Sequence, residues 1–220
     1  FPLAPANQFS KWDDIVQSTP ALEGDVHRAP TDLAMIMYTS GSTGQPKGVM
    51  HNFERISAAT NGIVKTLIET LGDREGDRIL SYLPLAHVFE RAWVGASSMS
   101  HGKTHVFFAE SLDTFIQDLN RAKPTMFISV PRLWLKFQQG VFSKMPPAKL
   151  NLLLSIPILG GVVRKKILKG LGLDQVIVAG SGSAPIPAEL IMWYRKLGLN
   201  LLEGYAMTED FAYSHNSTNE

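Results

Sequence analysis

The loop at residues 38–48 combines residue types that bind phosphate. Within eleven residues it holds three glycines, four serine or threonine hydroxyls and one lysine, Lys47. Glycines let backbone N–H groups approach an anion closely, hydroxyls donate to phosphate oxygens, and a lysine supplies a compact positive charge. The spacing excludes the Walker A motif, in which Gly-Lys-Ser/Thr follows a glycine and four further residues. The loop therefore predicts phosphate binding outside the P-loop NTPases, with a surface loop of small residues as the alternative.

Three further stretches carry residues suited to ligand binding. Residues 205–209 read Tyr-Ala-Met-Thr-Glu. These side chains can stack on a base, donate to a phosphate and bind a hard divalent cation, although Thr208 and Glu209 also suit a helix cap. The small residues of 180–185 would let a ligand approach the backbone, or they form a plain strand-to-helix turn. His87, which follows Leu-Pro-Leu-Ala, is a candidate site residue or a hydrogen-bonded core residue.

These loops lie between apolar segments that alternate between strand and helix patterns. The run at 33–37 predicts a buried strand before the first loop, with a helical pattern after that loop. Apolar spacing over 53–71 predicts a helix that stops at Gly72. Further strands are predicted at 78–83, 104–108, 125–130, 175–179 and 200–202, and further helices at 9–17, 87–99, 112–122, 131–142, 150–171 in two pieces, and 187–197. This alternation predicts an α/β fold with a largely parallel sheet, whose ligands bind at the carboxyl ends of the strands.

Composition narrows the class of protein. An apolar content of 45% over 220 residues suffices for a globular core, and a net charge of +1 gives no case for nucleic-acid binding. The absence of cysteine excludes disulfides and thiol chemistry and suits a reducing compartment, so a cytoplasmic protein is expected. Basic residues flank apolar ones in 150–171, which fits either a solvated helix face or a helix lying on a membrane surface. The sequence alone favours the solvated face.

The first loop resembles the signature loop of the adenylate-forming superfamily, which includes acyl-CoA synthetases, luciferases and peptide-synthetase adenylation domains. Residues 43–48, Thr-Gly-Gln-Pro-Lys-Gly, match its Gly-x-Pro-Lys-Gly pattern. Residues 205–209 are similar to the Tyr-Gly-x-Thr-Glu motif, with Ala206 in place of the glycine. In the family this tyrosine lies along the adenine, the threonine contacts the α-phosphate and the glutamate holds Mg²⁺. The resemblance implies a large N-terminal domain with helices on both faces of a parallel sheet.

Three other segments also resemble parts of that family. Residues 180–185 are similar to the Ser-Gly-Gly-Ala-Pro segment that borders the adenine and the acyl pocket, with Ser183 replacing the second glycine. Residues 83–87 resemble a Leu-Pro-Leu-x-His motif beside the carboxylate-binding site, where His87 would orient the acid. Glu90 and Arg91 continue this motif as in long-chain members, or form a charge pair on a solvated helix face. Residues 129–134 resemble a long-chain Val-Pro-Arg segment, where Trp134 would line an acyl tunnel or anchor a helix.

The resemblance thus implies a set of site residues. Catalytic roles fall to His87, Thr208 and Glu209, the metal site to Glu209, and acyl contacts to His87, Trp134 and Gly182. ATP and AMP binding falls to Thr39, Ser40, Gly41, Ser42, Thr43, Gly44, Lys47, Gly182, Ser183, Ala184, Pro185, Tyr205, Ala206, Met207 and Thr208.

The implied activity is the activation of a long-chain fatty acid with ATP and Mg²⁺, followed by thioester formation with coenzyme A as co-substrate. Alternatives are a ligase for another acid, acyl transfer to a carrier protein, or a nucleotide- or lipid-binding module without turnover. Residues 1–220 would form part of the N-terminal AMP-binding domain, with a lead-in helix and linker at 1–32 and an α/β core at 33–220. A ribose-binding aspartate, a hinge and a small C-terminal domain would follow, so the 220 residues alone are expected to be inactive.

Overall fold

The structure, a computed structural model, describes residues 12–25, 27–41 and 44–216. Its strands are β1 (Leu33–Thr39), β2 (Lys47–Asn52), β3 (Asp77–Ser81), β4 (Thr104–Phe108), β5 (Met126–Ser129), β6 (Val178–Ser181), β7 (Leu201–Tyr205) and β8 (His215–Asn216). Its helices are α1 (Trp12–Ser18), α2 (Phe53–Leu71), α3 (Ser97–His101), α4 (Phe115–Ala122), α5 (Pro131–Lys144), α6 (Pro147–Ser155), α7 (Leu159–Leu171) and α8 (Ala188–Lys196), with a π-helical segment at Glu90–Ala96.

Six strands form the central sheet in the order β4-β3-β5-β6-β7-β8. Neighbouring strands from β4 to β7 are parallel, and β8 pairs antiparallel with β7. Ser129 of β5 pairs with Ser181 of β6, which pairs with Glu203 of β7. Because Ser129 and Ser181 end their strands and Glu203 lies two residues before the end of β7, the loops that follow begin at one edge of the sheet. The predicted α/β fold with a largely parallel sheet is confirmed.

Helices cover both faces of the sheet, and each face has its own apolar core. The α2-side core contains Ile63 of α2 and Met126 of β5, whereas the α5-side core contains Trp134 of α5 and Phe127 of β5. Adjacent residues of a strand point to opposite faces, so Met126 and Phe127 serve different cores. Strands buried on both faces need continuous apolar runs, which explains why these strands were recognisable from the sequence.

Helix α2 has the predicted bounds and recognisable ends. The side chain of Asn52 accepts a hydrogen bond from the backbone N–H of Arg55 at 2.9 Å and so caps the first turn. Gly72 ends the helix at φ 83°, and its N–H donates to the carbonyl of Ile68. Strand β4 also begins and ends at the predicted residues. The predicted break in 150–171 is confirmed, since α6 ends at Ser155 and α7 begins at Leu159.

The element before the signature loop differs from the prediction. Strand β1 lies outside the parallel sheet and pairs antiparallel with β2, which the sequence analysis missed. Within β1, Met37 is the buried residue, because this two-stranded hairpin packs with one face on the α2-side core. The predicted strand over 33–37 is therefore present, but it is not buried along its length, and strand β2 between the loop and α2 was missed.

Three other boundaries are also corrected. Helix α4 begins at Phe115 and not at Leu112, whose side chain is 91% exposed. The segment predicted as a helix over 87–99 turns through the π-helical segment into α3. The last predicted strand extends through Tyr205, so this residue ends β7 instead of following it. In the predicted helix over 9–17, residues 9–11 lie outside the described residues.

Asp118 of α4 gives the fold a pH-dependent contact. Its carboxylate accepts hydrogen bonds from the backbone N–H of Glu110 at 3.0 Å and from the hydroxyl of Thr114 at 2.8 Å, and it pairs with Arg121. The Glu110 N–H is the main cause that lowers the pKa of Asp118 below its usual value, and Thr114 and Arg121 act in the same direction. The native state therefore favours the ionised form.

Replacing this carboxylate should destabilise the fold only where it is ionised. Asp118→Asn is expected to lower the urea midpoint at pH 7, because the contribution of a depressed pKa is present above the unfolded value. This stabilising contribution is lost as pH falls through the pKa of Asp118 in the folded protein. The difference in urea midpoint between Asp118→Asn and wild type should therefore shrink towards pH 2. Urea unfolding at both pH values measures this, and a deficit that is equal at both would contradict it.

Candidate active site

A cavity of about 480 Å³ lies between helix α2 and the carboxyl edge of the sheet. Its walls come from α2, from the segment after β3, and from the ends of β6 and β7 with the loops that follow them. The lining residues are Thr66, Leu67, Glu69, Thr70, His87, Val88, Phe89, Trp93, Ile128, Val178, Ala179, Gly180, Ser181, Gly182, Ser183, Leu202, Glu203, Gly204, Ala206, Ala212, Tyr213 and Ser214. The position agrees with the rule that ligands bind at the carboxyl ends of parallel strands.

The end of β6 and the loop that follows it present backbone and one free hydroxyl to this cavity. Ser181 is buried, and its Oγ has no hydrogen-bond partner among the described residues. A buried hydroxyl without a partner is costly, so its position in a cavity wall favours a ligand that completes it. A Cβ on Gly182 would lie 3.4 Å from the carbonyl oxygen of Gly204, so this loop passes close to β7.

The backbone conformation of Ser183 accounts for the glycine that the family pattern has at this position. Its φ is 69°, in the left-handed region that favours glycine. We expect Ser183→Gly to stabilise the protein by roughly 0.5 kcal/mol, because relief of about 1–2 kcal/mol of backbone strain exceeds the 0.5–1 kcal/mol entropy cost of a glycine. Urea unfolding checks this prediction, and Ser181→Gly, at the last residue of β6 where φ is not positive, is the control that is expected to destabilise the protein. A less stable Ser183→Gly would contradict it.

The segment after β3 is attached to the sheet by a buried carboxylate. Glu90 accepts hydrogen bonds from the hydroxyl of Ser81 and from the backbone N–H of Leu83 at 3.3 Å. The alternative in which Glu90 and Arg91 form a charge pair on a solvated face is thus wrong for Glu90, which is buried. His87 borders the cavity, and its Nδ1 lies 3.2 Å from the backbone nitrogen of Phe89 as hydrogen-bond acceptor. Its Nε2 then carries the proton when the ring is neutral.

Tyr82, the residue after β3, fixes the end of β3 to the end of the neighbouring strand β5. Its hydroxyl donates to Ser129 Oγ at 2.8 Å, which connects the end of β3 to the end of β5. Burial raises the pKa of Tyr82 to about 12, so the hydroxyl remains a neutral donor at physiological pH.

The loop after β7, residues 206–214, is organised by an aspartate that the sequence analysis did not single out. Asp210 accepts hydrogen bonds from the backbone N–H groups of Met207 at 3.1 Å and Tyr213 at 3.2 Å, and from the hydroxyl of Ser214. It thereby closes the turn that presents Thr208 and Glu209. The sequence feature that could have identified Asp210 is its position directly after Thr208 and Glu209.

This loop is also bound to two other elements. Trp93 of the π-helical segment donates its indole N–H to the carbonyl of Ala212 at 2.8 Å. The ring of Tyr213 lies against Gly62 of α2, where a Cβ would overlap it. A glycine within a helix costs about 1 kcal/mol relative to alanine, and here the close approach of Tyr213 accounts for it. The contact closes one side of the cavity.

The signature loop occupies the tip of the β1–β2 hairpin. Thr39 ends β1 and pairs with Lys47, the first residue of β2. Gly41 has φ 65°, and a Cβ there would overlap the carbonyl oxygen of Gln45, so the loop needs a glycine at this position. Ser42 and Thr43 lie outside the described residues.

Buried contacts connect the hairpin to the loop after β7. His51 of β2 is buried, and its ring lies 5.3 Å from that of Phe211 in an edge-to-face arrangement. Met37 of β1 belongs to the same apolar core as Phe211. The first and last predicted motifs therefore share one packing unit, although more than 150 residues separate them along the chain.

The structure places some of the predicted site residues in the cavity wall and others outside it. His87, Gly182, Ser183 and Ala206 line the cavity. The cavity lining does not include the other predicted residues within the described ranges, none of which is buried: Thr39, Ser40, Gly41, Gly44, Lys47, Ala184, Pro185, Tyr205, Met207, Thr208 and Glu209. Ala206 is not among the described non-glycine residues with positive φ, so an alanine fits at this position.

Trp134 does not reach the cavity. It is fully buried in the α5-side core, and its indole N–H donates to the carbonyl of Gly180 at 3.1 Å. Its own carbonyl accepts from the hydroxyl of Tyr194 at 2.7 Å. The assignment of Trp134 to acyl binding is therefore corrected, and the residue is the helix anchor that the sequence left as the alternative.

A comparison with protein families identifies the family of the chain. The sequence profile of the AMP-binding enzymes matches residues 4–219, nearly the whole chain. The chain belongs to the AMP-binding enzyme family. The resemblance inferred from the signature loop and from residues 205–209 is confirmed at this level.

Individual members of the family narrow the relationship. The chain is 30% identical to long chain acyl-CoA synthetase 5 of Arabidopsis thaliana over 226 residues, which covers 91% of this chain and 34% of that protein. It is 32% identical to human long-chain-fatty-acid–CoA ligase 1 over 199 residues, covering 82% of this chain and 28% of that protein. The chain thus spans about a third of the length of these relatives.

Solved structures of adenylation domains share the fold. The A domain of the carboxylic acid reductase from Segniliparus rugosus, in complex with AMP and a co-purified carboxylic acid, matches with a TM-score of 0.65 at 26% identity, over 89% of this chain and 31% of that chain. The N-terminal domain of FACL13 from Mycobacterium tuberculosis matches with a TM-score of 0.59 at 25% identity, over 91% of this chain and 43% of that chain.

Proposed function

We propose that the protein containing this chain activates a long-chain fatty acid. It uses ATP to form an acyl-adenylate and pyrophosphate, and then transfers the acyl group to the thiol of coenzyme A. The observation that carries the proposal is the cavity in which the segments after β3, β6 and β7 meet, with His87, Ser181 and Ala206 in its walls. The names of the relatives at 30–32% identity support the long-chain acid and the coenzyme A acceptor.

The composition of the cavity supports an acid with an apolar body. Val88, Trp93 and Val178 supply apolar surface, and a volume of about 480 Å³ lies within the usual range for small-molecule sites. His87 and the free hydroxyl of Ser181 are among the polar groups beside this surface. We assign the carboxylate end of the acid to His87, whose Nε2–H is a donor.

The nucleotide is assigned to the edge of the same cavity. The exposed ring of Tyr205 offers a face for the adenine, and the backbone at Gly182 and Ser183 allows close approach. Thr208 would donate its hydroxyl to the α-phosphate. Lys47, exposed at the start of β2, would neutralise charge on the β- and γ-phosphates.

The first chemical step needs positioning more than a protein nucleophile. A carboxylate oxygen of the acid forms a bond to the α-phosphorus, while the bond from that phosphorus to the oxygen bridging the β-phosphate breaks and releases pyrophosphate. Donors such as Thr208 and cations such as Lys47 stabilise the charge that develops. In the second step the thiol sulfur bonds to the acyl carbon, AMP leaves with the carboxyl oxygen, and the thiol proton is lost to solvent.

Glu209 is suited to a magnesium ion shared with the nucleotide. Its carboxylate is exposed on the turn held by Asp210, and no cluster of three or more His, Asp or Glu residues occurs within the described ranges. Mg²⁺ commonly takes only one or two carboxylates together with substrate phosphates and water, so a single carboxylate fits. When bound, the ion would neutralise phosphate charge and polarise the phosphoryl oxygens.

Pyrophosphate exchange in the full-length protein tests the proposal. Palmitate should support exchange at least tenfold faster than benzoate or an amino acid, and coenzyme A should then yield palmitoyl-CoA. Exchange driven by another acid, or thioester formed only on a carrier protein, would overturn the assigned substrates. A non-hydrolysable acyl-AMP mimic that binds in calorimetry, with no exchange for any acid, would identify a module without turnover.

A further inference from the structure

The corner between α6 and α7 exposes an unusual amount of apolar surface. We call this the apolar corner, and its members are Leu152, Ile156, Ile158, Leu159 and Val162. All five are exposed, and Ile158 at the tip is 89% exposed. Single exposed aliphatic side chains are ordinary, but a contiguous group of them indicates an interaction surface.

The backbone holds Ile158 in this position under strain. Its φ is 66° and its ψ is −57°, and the N–H of Leu159 donates to the carbonyl of Pro157 at 2.7 Å, which makes a tight γ-turn. A β-branched residue with positive φ is a rare conformation that costs free energy. Residues held in such conformations cluster at functional sites, because surrounding structure must enforce them.

Packing between α6 and α7 enforces the turn. Gly160 is buried, and a Cβ there would lie 2.6 Å from the carbonyl oxygen of Leu154. Arg164 reaches back to the same carbonyl at 3.4 Å. The two helices thus approach closely behind the corner, and the apolar side chains are preorganised on its outer side.

The outward face of α7 continues the corner with lysines. Lys165, Lys166 and Lys169 are exposed and lie on the side of the helix opposite the buried Gly160 and Leu171. The surrounding sequence has the same sign, since residues 119–173 contain ten lysines and arginines and no aspartate or glutamate. The whole chain has a net charge of only +1, so its excess positive charge is concentrated in this part of the sequence.

We propose that the apolar corner and the α7 lysines dock on an anionic lipid bilayer surface. Aliphatic side chains would enter the boundary between headgroups and acyl chains while lysines meet lipid phosphates, as in interfacial helices. Protein interfaces are typically enriched in aromatic residues and arginine and depleted in lysine, which is the opposite of this surface. No helix among the described residues has the length and hydropathy required to cross a bilayer.

Vesicle co-sedimentation of the full-length protein tests this contact. The protein should bind vesicles of phosphatidylcholine with about 30% phosphatidylserine, and bind pure phosphatidylcholine vesicles far more weakly. Changing Lys165, Lys166 and Lys169 to glutamate should lower the partition coefficient by on the order of 100-fold, since each lysine at an anionic surface contributes roughly fivefold. The matched control changes Arg28, Arg55 and Lys65 to glutamate, and should bind within about threefold of wild type.

A fluorescent label reports insertion separately from charge. In a cysteine-free full-length background, Ile158→Cys carrying an environment-sensitive dye should show a blue shift and increased emission on anionic vesicles. Met99→Cys, at a position that is 84% exposed on α3, is the control and should show no shift. Absence of vesicle binding by the native protein, equal loss in both charge variants, or no response at Ile158 would each overturn the proposal. Pyrophosphate exchange in solution should be unchanged in the α7 variant, so this test is independent of the proposed ligase activity.

Discussion

Glu209→Gln in the full-length protein is expected to slow pyrophosphate exchange by about 100- to 1,000-fold, the usual cost of removing one charge-stabilising group from an active site. The substitution retains the shape of the side chain but removes the anionic oxygen that a magnesium ion requires. The remaining exchange should require a higher Mg²⁺ concentration than that of the wild-type protein. Exchange rates measured across a Mg²⁺ titration give both quantities.

Two controls separate a role in catalysis from a role in folding. Glu209 is exposed, so its substitution should leave the urea midpoint unchanged. Glu189→Gln removes another exposed carboxylate, in the first turn of α8, and should leave exchange within about twofold of wild type. If Glu209→Gln exchanged pyrophosphate normally with an unaltered Mg²⁺ requirement, the assignment of the metal to Glu209 would be wrong.

The parallel sheet was predictable because its signals are local. Strands such as β4 are short apolar runs, and α2 combines a regular apolar period with Asn52 before it and Gly72 after it. Each of these features depends on residues within a few positions of one another. Elements that differed from the prediction, such as the β1–β2 hairpin, depend on partners whose contribution does not appear as a local pattern.

The motifs located one side of the candidate site, while the other side depended on tertiary packing. His87, Gly182 and Ala206 were found from the sequence because they occur in recognisable loops. Helix α2 also lines the cavity, and its Thr66 and Thr70 resemble ordinary surface residues until the sheet is placed beside them. Helical spacing of Thr66, Glu69 and Thr70 on one side of α2 was the only available signal.

Trp134 is a residue whose predicted role also depended on tertiary packing, and here the sequence suggested a site residue that the structure places in the core. Its residue type and its place at the start of α5 fit either a tunnel wall or a core anchor. The choice depends on which face of the sheet receives α5, and β5 offers apolar residues to both faces. Sequence patterns reveal that such a strand is buried without indicating which helix covers each side.

A pair of glycines in the signature loop allows a matched test of the hairpin. Gly41 and Gly44 both have positive φ, at 65° and 80°. A Cβ at Gly41 would also overlap the carbonyl oxygen of Gln45, whereas a Cβ at Gly44 would have no neighbour within 4 Å among the described atoms. Alanine at Gly44 therefore adds backbone strain alone, and alanine at Gly41 adds strain and a collision with the loop itself.

Gly41→Ala is expected to lower the rate of pyrophosphate exchange at limiting ATP by about 100-fold or more, and Gly44→Ala by about tenfold. The smaller effect corresponds to the roughly 1–2 kcal/mol that a left-handed conformation costs a residue other than glycine. The larger effect adds displacement of the Gln45 carbonyl, which would move the loop away from the phosphates. The loop is largely exposed, so without nucleotide it can relax to an unstrained conformation, and both variants should unfold at nearly the wild-type urea concentration. The strain then opposes only the conformation that binds ATP. Equal losses in the two variants would show that backbone strain alone matters, and unchanged exchange in Gly41→Ala would remove the signature loop from the proposed ATP site.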